Sequence, residues 1–72
     1  MIELDLRGYD CPMPVVKVMK AMGKNPGVAI AVLVDKESGT DDIARYASKR
    51  KYSVNVEKMS EAFRVTLKPL KV

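Results

Sequence analysis

Apolar and polar residues alternate from the start of the chain: Ile2, Leu4 and Leu6 are separated by Glu3, Asp5 and Arg7. A period of two is that of a strand with one solvated face, and Gly8 ends it. After Tyr9-Asp10 the period changes. Val15, Val18, Met19 and Met22 recur at helical spacing, with Lys17, Lys20 and Lys24 mostly on other faces, which predicts a helix from about Pro12 to Met22. Pro12 suits the first helical position, where its missing N–H would have no partner anyway, and Pro14 falls within the same first turn. Gly23-Lys24-Asn25-Pro26-Gly27 stops the helix with two glycines and a proline. The run from Val28 to Val34 has no polar face, so it reads as a strand buried on both sides or central in its sheet. Ala29 and Ala31 are small enough to face water there at little cost.

A second helix is expected to open near Thr40. Ser38 or Thr40 could cap it, and Asp41 and Asp42 suit the positive end of its dipole. Ile43, Ala44, Ala47 and Tyr46 supply its apolar stripe. Arg45, Lys49, Arg50 and Lys51 crowd its C-terminal half, where the dipole favours cations. Tyr52, Val54 and Val56, then Phe63, Val65 and Leu67, alternate with polar residues and predict two strands joined near Met59-Ser60-Glu61, a hairpin. The element order is therefore βαβαββ. No linker, repeat or low-complexity tract interrupts it, so residues 1–72 read as a single domain. The simplest arrangement is an α/β (α+β) two-layer sandwich: one mixed four-stranded sheet with two helices on one face.

Composition changes this picture in few places. The chain has 72 residues, 47% of them hydrophobic, with one cysteine and no histidine. An internal disulfide and the common Cys/His zinc sites are thus out of reach, and packing alone must hold the domain. The N-terminus alternates instead of running apolar, and Val28 to Val34 is too short to span a bilayer. A cytoplasmic protein without membrane insertion is expected, in a compartment that keeps a free thiol reduced. Thirteen basic residues against nine acidic ones leave a net charge of +4, which suits an acidic partner surface or a nucleic acid without choosing between them.

The candidate chemistry is at Cys11, in Cys11-Pro12-Met13-Pro14. A thiol is nucleophilic only as the thiolate. The start of a helix stabilises an anion, although Pro12 and Pro14 remove two of the first-turn N–H groups. Arg7 and Lys17 lie close enough in sequence to raise the local positive potential. The strand-to-helix turn argues for an accessible sulfur, against the alternative of a buried cysteine acting as a small hydrophobe. Without a histidine there is no Cys–His pair, and without a second cysteine no dithiol cycle within one chain. No glycine-rich phosphate loop occurs. A thiolate that accepts and returns a group remains, and sulfur carried as a persulfide fits. A thiol that only senses oxidants is the weaker alternative.

The run Leu4-Asp5-Leu6-Arg7-Gly8-Tyr9-Asp10-Cys11-Pro12-Met13-Pro14, followed by an amphipathic helix, resembles the signature of the TusA (SirA-like) family of sulfur carriers. The likeness extends through Pro26-Gly27, Asp35 and Thr40-x-Asp42-Ile43, nearly the whole chain. It implies the same βαβαββ sandwich. It also implies that Cys11 receives persulfide sulfur from a cysteine desulfurase or rhodanese-type donor and passes it to an acceptor protein. Such routes end in thiolated tRNA, in cofactor synthesis or in oxidation of inorganic sulfur. Members of the tRNA route usually have an acidic residue between the prolines, whereas Met13 is more like the YedF and YeeD branches. Several of those carry a second cysteine just after the second strand, where this chain has Lys36. No cofactor is implied.

The supporting cast expected around the thiolate is Arg7, Pro12, Met13, Pro14 and Lys17. Met13 with Val15-Val16 could form a contact patch, although Val15 belongs by its spacing to the core stripe. Asp35 and Asp42 read as turn or cap residues. Arg45, Lys49 and Arg50 are candidates for docking an acidic donor or acceptor. The same cluster motivates a competing reading as a small basic nucleic-acid-binding module. Direct nucleic-acid binding is disfavoured, because aromatic residues for base stacking are few and a basic helix end commonly complements the dipole.

Overall fold

A computed structural model describes residues 1–10 and 13–70 of the chain. The elements are β1 (Ile2–Asp5), α1 (Met13–Lys24), β2 (Ile30–Val34), α2 (Glu37–Lys49), β3 (Tyr52–Lys58) and β4 (Phe63–Pro69). The strands form one sheet in the order β1-β2-β4-β3. β1 and β2 are parallel, while β2 with β4 and β3 with β4 are antiparallel. The expected mixed four-stranded α+β sandwich is therefore the observed one.

The register explains the two faces of the sheet. Ile2 pairs with Ile30, Ile30 with Leu67, and Leu67 with Val54, so these alternate positions share a face. Ile30, Val32, Val34, Val65 and Leu67 on that face are essentially without solvent contact. They meet Val18 and Met22 of α1 and Ile43 and Ala47 of α2 in one core. Pro14, Val18 and Met22 are the buried positions of α1, four residues apart each time, which is the helical stripe seen in the sequence. Among the described residues, the opposite face carries Glu3, Asp5, Arg64, Thr66, Ser53 and Asn55 and no helix.

β2 has the central place its apolar run demanded, but Ala31 is buried, at 4% exposure, instead of facing water. It lies level with Glu3 of β1 and Thr66 of β4. The Arg64 guanidinium approaches Glu3 Oε1 at 3.7 Å across β2, so larger neighbours shade the small side chain. On this face Ala31, Leu33, Asp5, Met59 and Arg64 help to line a shallow groove of about 320 Å³.

The start of α2 also differs from expectation. The helix opens at Glu37, so neither Ser38 nor Thr40 is its cap. Lys36 holds the cap position in extended backbone (φ −127°, ψ 138°), without a side-chain cap bond. Thr40, buried inside the helix, donates its hydroxyl to Glu37 O at 2.6 Å. The first turn packs on the end of β2: an added Cβ at Gly39 would come 3.6 Å from Val34 Cβ, an ordinary contact distance. α1 continues to Lys24, beyond Met22, and Gly27 then turns the chain with φ at +79°. The β3–β4 connection is closed by Met59 N–H donating to Ala62 O at 2.8 Å.

Candidate functional site

Two parallel neighbouring strands end at the same edge of a sheet, and here the helices that follow β1 and β2 both begin there. The segment leading to Cys11 therefore lies beside the segment that joins β2 to α2. Cys11 and Pro12 are outside the described residues; Asp10 and Met13 flank them on either side. The approach to Cys11 is tied to the end of β2 at successive points. Leu6 N–H donates to Leu33 O at 2.8 Å. Gly8 N–H donates to Asp35 Oδ2 at 2.9 Å. Lys36 Nζ donates to Asp10 Oδ1 at 2.7 Å. Gly8 has φ of +89°, a left-handed conformation that a side chain would strain. Met13 N–H, at the start of α1, reaches back to Asp10 O at 2.8 Å.

The charges around this turn are already engaged. Arg7 grips Asp5 in bidentate fashion, Nε to Oδ1 and Nη2 to Oδ2, both at 2.8 Å. Those hydrogen bonds lower the Asp5 carboxyl to about 2 and raise the Arg7 guanidinium. Arg7, expected to raise the positive potential near the thiolate, is paired with Asp5; Cys11 itself lies outside the described residues. The Lys36 ammonium holds the Asp10 carboxyl below its ordinary range, through the hydrogen bond first and charge attraction second. Lys17 sits with Nζ 5.5 Å from the centroid of the Tyr9 ring, a cation–π distance. Met13 is 39% exposed on the first turn of α1, while Pro14 is buried. Val15 packs against the core, as its place in the stripe predicted.

Sequence reading did not assign Lys36 a contact and gave Asp35 only a turn role. The available signal was topological: once β1 and β2 are parallel neighbours, residues just after β2 must face residues just after β1. The converse applies to the basic cluster. Arg45, Lys49 and Arg50 are all exposed, and Arg50 lies over the Tyr46 ring at 5.2 Å from its centroid. Lys49 and Arg50 end α2, at the end of the sandwich opposite Asp10 and Met13. Thirteen residues of helix separate the two ends by about 20 Å, at ~1.5 Å per residue.

The sequence profile of the family described as Sulfurtransferase TusA matches residues 2–68. The chain belongs to the TusA family. A candidate sulfur carrier protein of Methanocaldococcus jannaschii is 34% identical over 70 residues, covering 94% of this chain and 93% of that protein. Another from Archaeoglobus fulgidus is 32% identical over 73 residues, covering 99% and 100%. The crystal structure of a SirA-like protein from Desulfitobacterium hafniense superimposes with a TM-score of 0.88 at 30% identity, over 94% of this chain and 96% of that one. The TusA fold thus accounts for both layers of this sandwich. Among the described residues no helix is long and apolar enough to cross a membrane.

Proposed function

We propose that this TusA-family protein carries sulfur on Cys11, taking it from a protein persulfide and handing it to a second protein. The observation that carries the reading is the Cys-Pro-x-Pro run inside a family match that covers residues 2–68, at the turn joining β1 to α1. In the accepting step the Cys11 thiolate attacks the outer sulfur of the donor persulfide. A new S–S bond forms on Cys11, the donor's S–S bond breaks, and the donor leaves as its thiolate. No external oxidant is required. In the delivering step an acceptor thiolate repeats the attack on the outer sulfur and Cys11 returns to the thiolate.

Asp35 and Lys36 serve this chemistry by holding Gly8 and Asp10, the residues that lead to the nucleophile. The exposed Met13 offers partners an apolar contact beside it. A cysteine desulfurase or rhodanese-type protein is the donor in this reading, the whole chain acts as one domain, and the reducing cytoplasm keeps the thiol available. Arg45, Lys49 and Arg50 contribute to partner docking at a distance from the thiol.

Incubation with a cysteine desulfurase and cysteine, followed by intact-mass analysis, tests the proposal. One added sulfur mass is expected on the native chain and none on Cys11→Ser. An unmodified native chain, or the same adduct on the variant, would overturn it.

A further inference from the structure

At the end of the sandwich away from Asp10 and Met13, the last turns of both helices and the start of β3 enclose a groove of about 370 Å³. Its walls include Met19 and Met22 from α1, Tyr46 and Arg50 from the end of α2, and Tyr52 from β3. Gly27, at φ +79°, lines it with backbone. Met19 is 42% exposed, so a large apolar side chain stands open at the rim. The charged chain neighbours of the lining residues are of one sign. Lys24, Lys49 and Lys51 are chain neighbours of lining residues, and all three are exposed. No Asp or Glu occurs from residue 11 to 34 or from 43 to 56. The two chain stretches that line the groove, residues 19–27 and 46–52, therefore hold cations with no carboxylates among them.

We infer that this groove docks an acidic segment of a partner protein, with a leucine- or phenylalanine-sized side chain in the groove and carboxylates on the basic rim. The apolar floor supplies burial, and the unopposed lysines and Arg50 supply charge complementarity. Methionine walls repack around different side chains, which suits a protein that meets more than one partner. RNA fits less well. Arg50 already covers the Tyr46 ring at 5.2 Å, and methionine walls offer nothing to hydrogen-bond a base edge. A segment docked here leaves residues 7–13 uncovered, because the twelve residues of α1 extend about 18 Å. The groove is thus a holding surface separate from the thiol, and its occupancy does not depend on what Cys11 carries.

The test uses ¹⁵N-labelled Cys11→Ser protein, so that failure of the thiol chemistry cannot mask the result. It is titrated in turn with a peptide alternating glutamate and leucine, a glutamate-only peptide and oligouridylate. The mixed peptide is expected to shift the amides of Gly23, Gly27, Arg50 and Tyr52. Arg50→Glu and Met19→Glu, both at exposed positions, are each expected to weaken it about tenfold, or roughly 1.4 kcal/mol. Equal binding of the glutamate-only peptide would reduce the surface to bulk charge and overturn the inference. Tighter binding of oligouridylate, or shifts confined to residues 7–17, would also overturn it.

Discussion

Arg7 and Asp5 hold each other through paired hydrogen bonds on an exposed surface, and that pairing fixes how Asp5 titrates. A carboxyl whose folded pKa lies below its unfolded one stabilises the fold above the unfolded value and loses that contribution as pH falls through the folded one. For Asp5 the window runs from 3.8 down to about 2. Its stability contribution is small because both groups are solvated. Carbon-detected NMR of the side-chain carboxyl should place the Asp5 midpoint near 2, and Arg7→Gln should move it up towards 3.8. The Asp10 carboxyl is lowered by Lys36, so the tether between them is intact at neutral pH and lost on acidification. Lys36→Gln should raise the Asp10 midpoint in the same measurement; an unmoved midpoint would assign the shift elsewhere. None of these pairings was visible as a motif. Arg7 stood out only for its closeness in sequence to Cys11, whereas its bidentate pairing with Asp5, two residues away, is a charge-assisted bond that only the structure shows.

β1, β3 and β4 were legible because apolar and polar residues alternate along them, and β2 because an apolar run belongs at the centre of a sheet. Helix ends were harder. Thr40 offers the hydroxyl of a cap worth about 1 kcal/mol, but α2 begins earlier, at Glu37, with its first turn packed on Val34, and Thr40 donates to Glu37 O within the helix. Gly39 needs no unusual backbone angle, and an added methyl would meet Val34 at ordinary contact distance. Gly39→Ala is therefore expected to stabilise the fold by about 0.5–1 kcal/mol through helix propensity, read as a higher urea midpoint. The other end of α2 stops through Lys51, whose φ of 63° is left-handed. Its N–H satisfies Ser48 O at 3.2 Å. Lys51→Gly should relieve that strain and add up to about 1 kcal/mol; a lower midpoint would show that the lysine side chain contributes more than its backbone costs. The candidate site was legible to the extent that Cys11 stood in a recognisable run. Asp35 and Lys36 were not, because their contact partners lie more than 25 residues away in sequence.

At the scale of the whole molecule, one core shared by a sheet and two helices must stabilise 72 residues without disulfide staples. Leu67 has no solvent exposure and stands between Ile30 and Val54 in the sheet. Leu67→Ala is expected to cost about 2–5 kcal/mol, a large share of the stability of a small domain. Thermal unfolding monitored by circular dichroism would register the loss, and a cost below about 1 kcal/mol would contradict the packing described. On the readings proposed above, the architecture would separate two tasks by length: sulfur chemistry at the end where both helices start, partner retention where they finish. The segment from Arg7 to Asp10 has a character of its own within this scheme. It is held to the sheet by exposed side-chain contacts, Asp35 with Gly8 and Lys36 with Asp10, and contributes no residue to the core. It can open as a separate low-energy unit while the sheet stays folded. The Gly8 amide should then exchange with deuterium far faster than that of Val32 in the sheet centre. On the proposed sulfur-carrier reading, that independence would let the approach to Cys11 reshape itself to a donor and then to an acceptor without unfolding the molecule that delivers it.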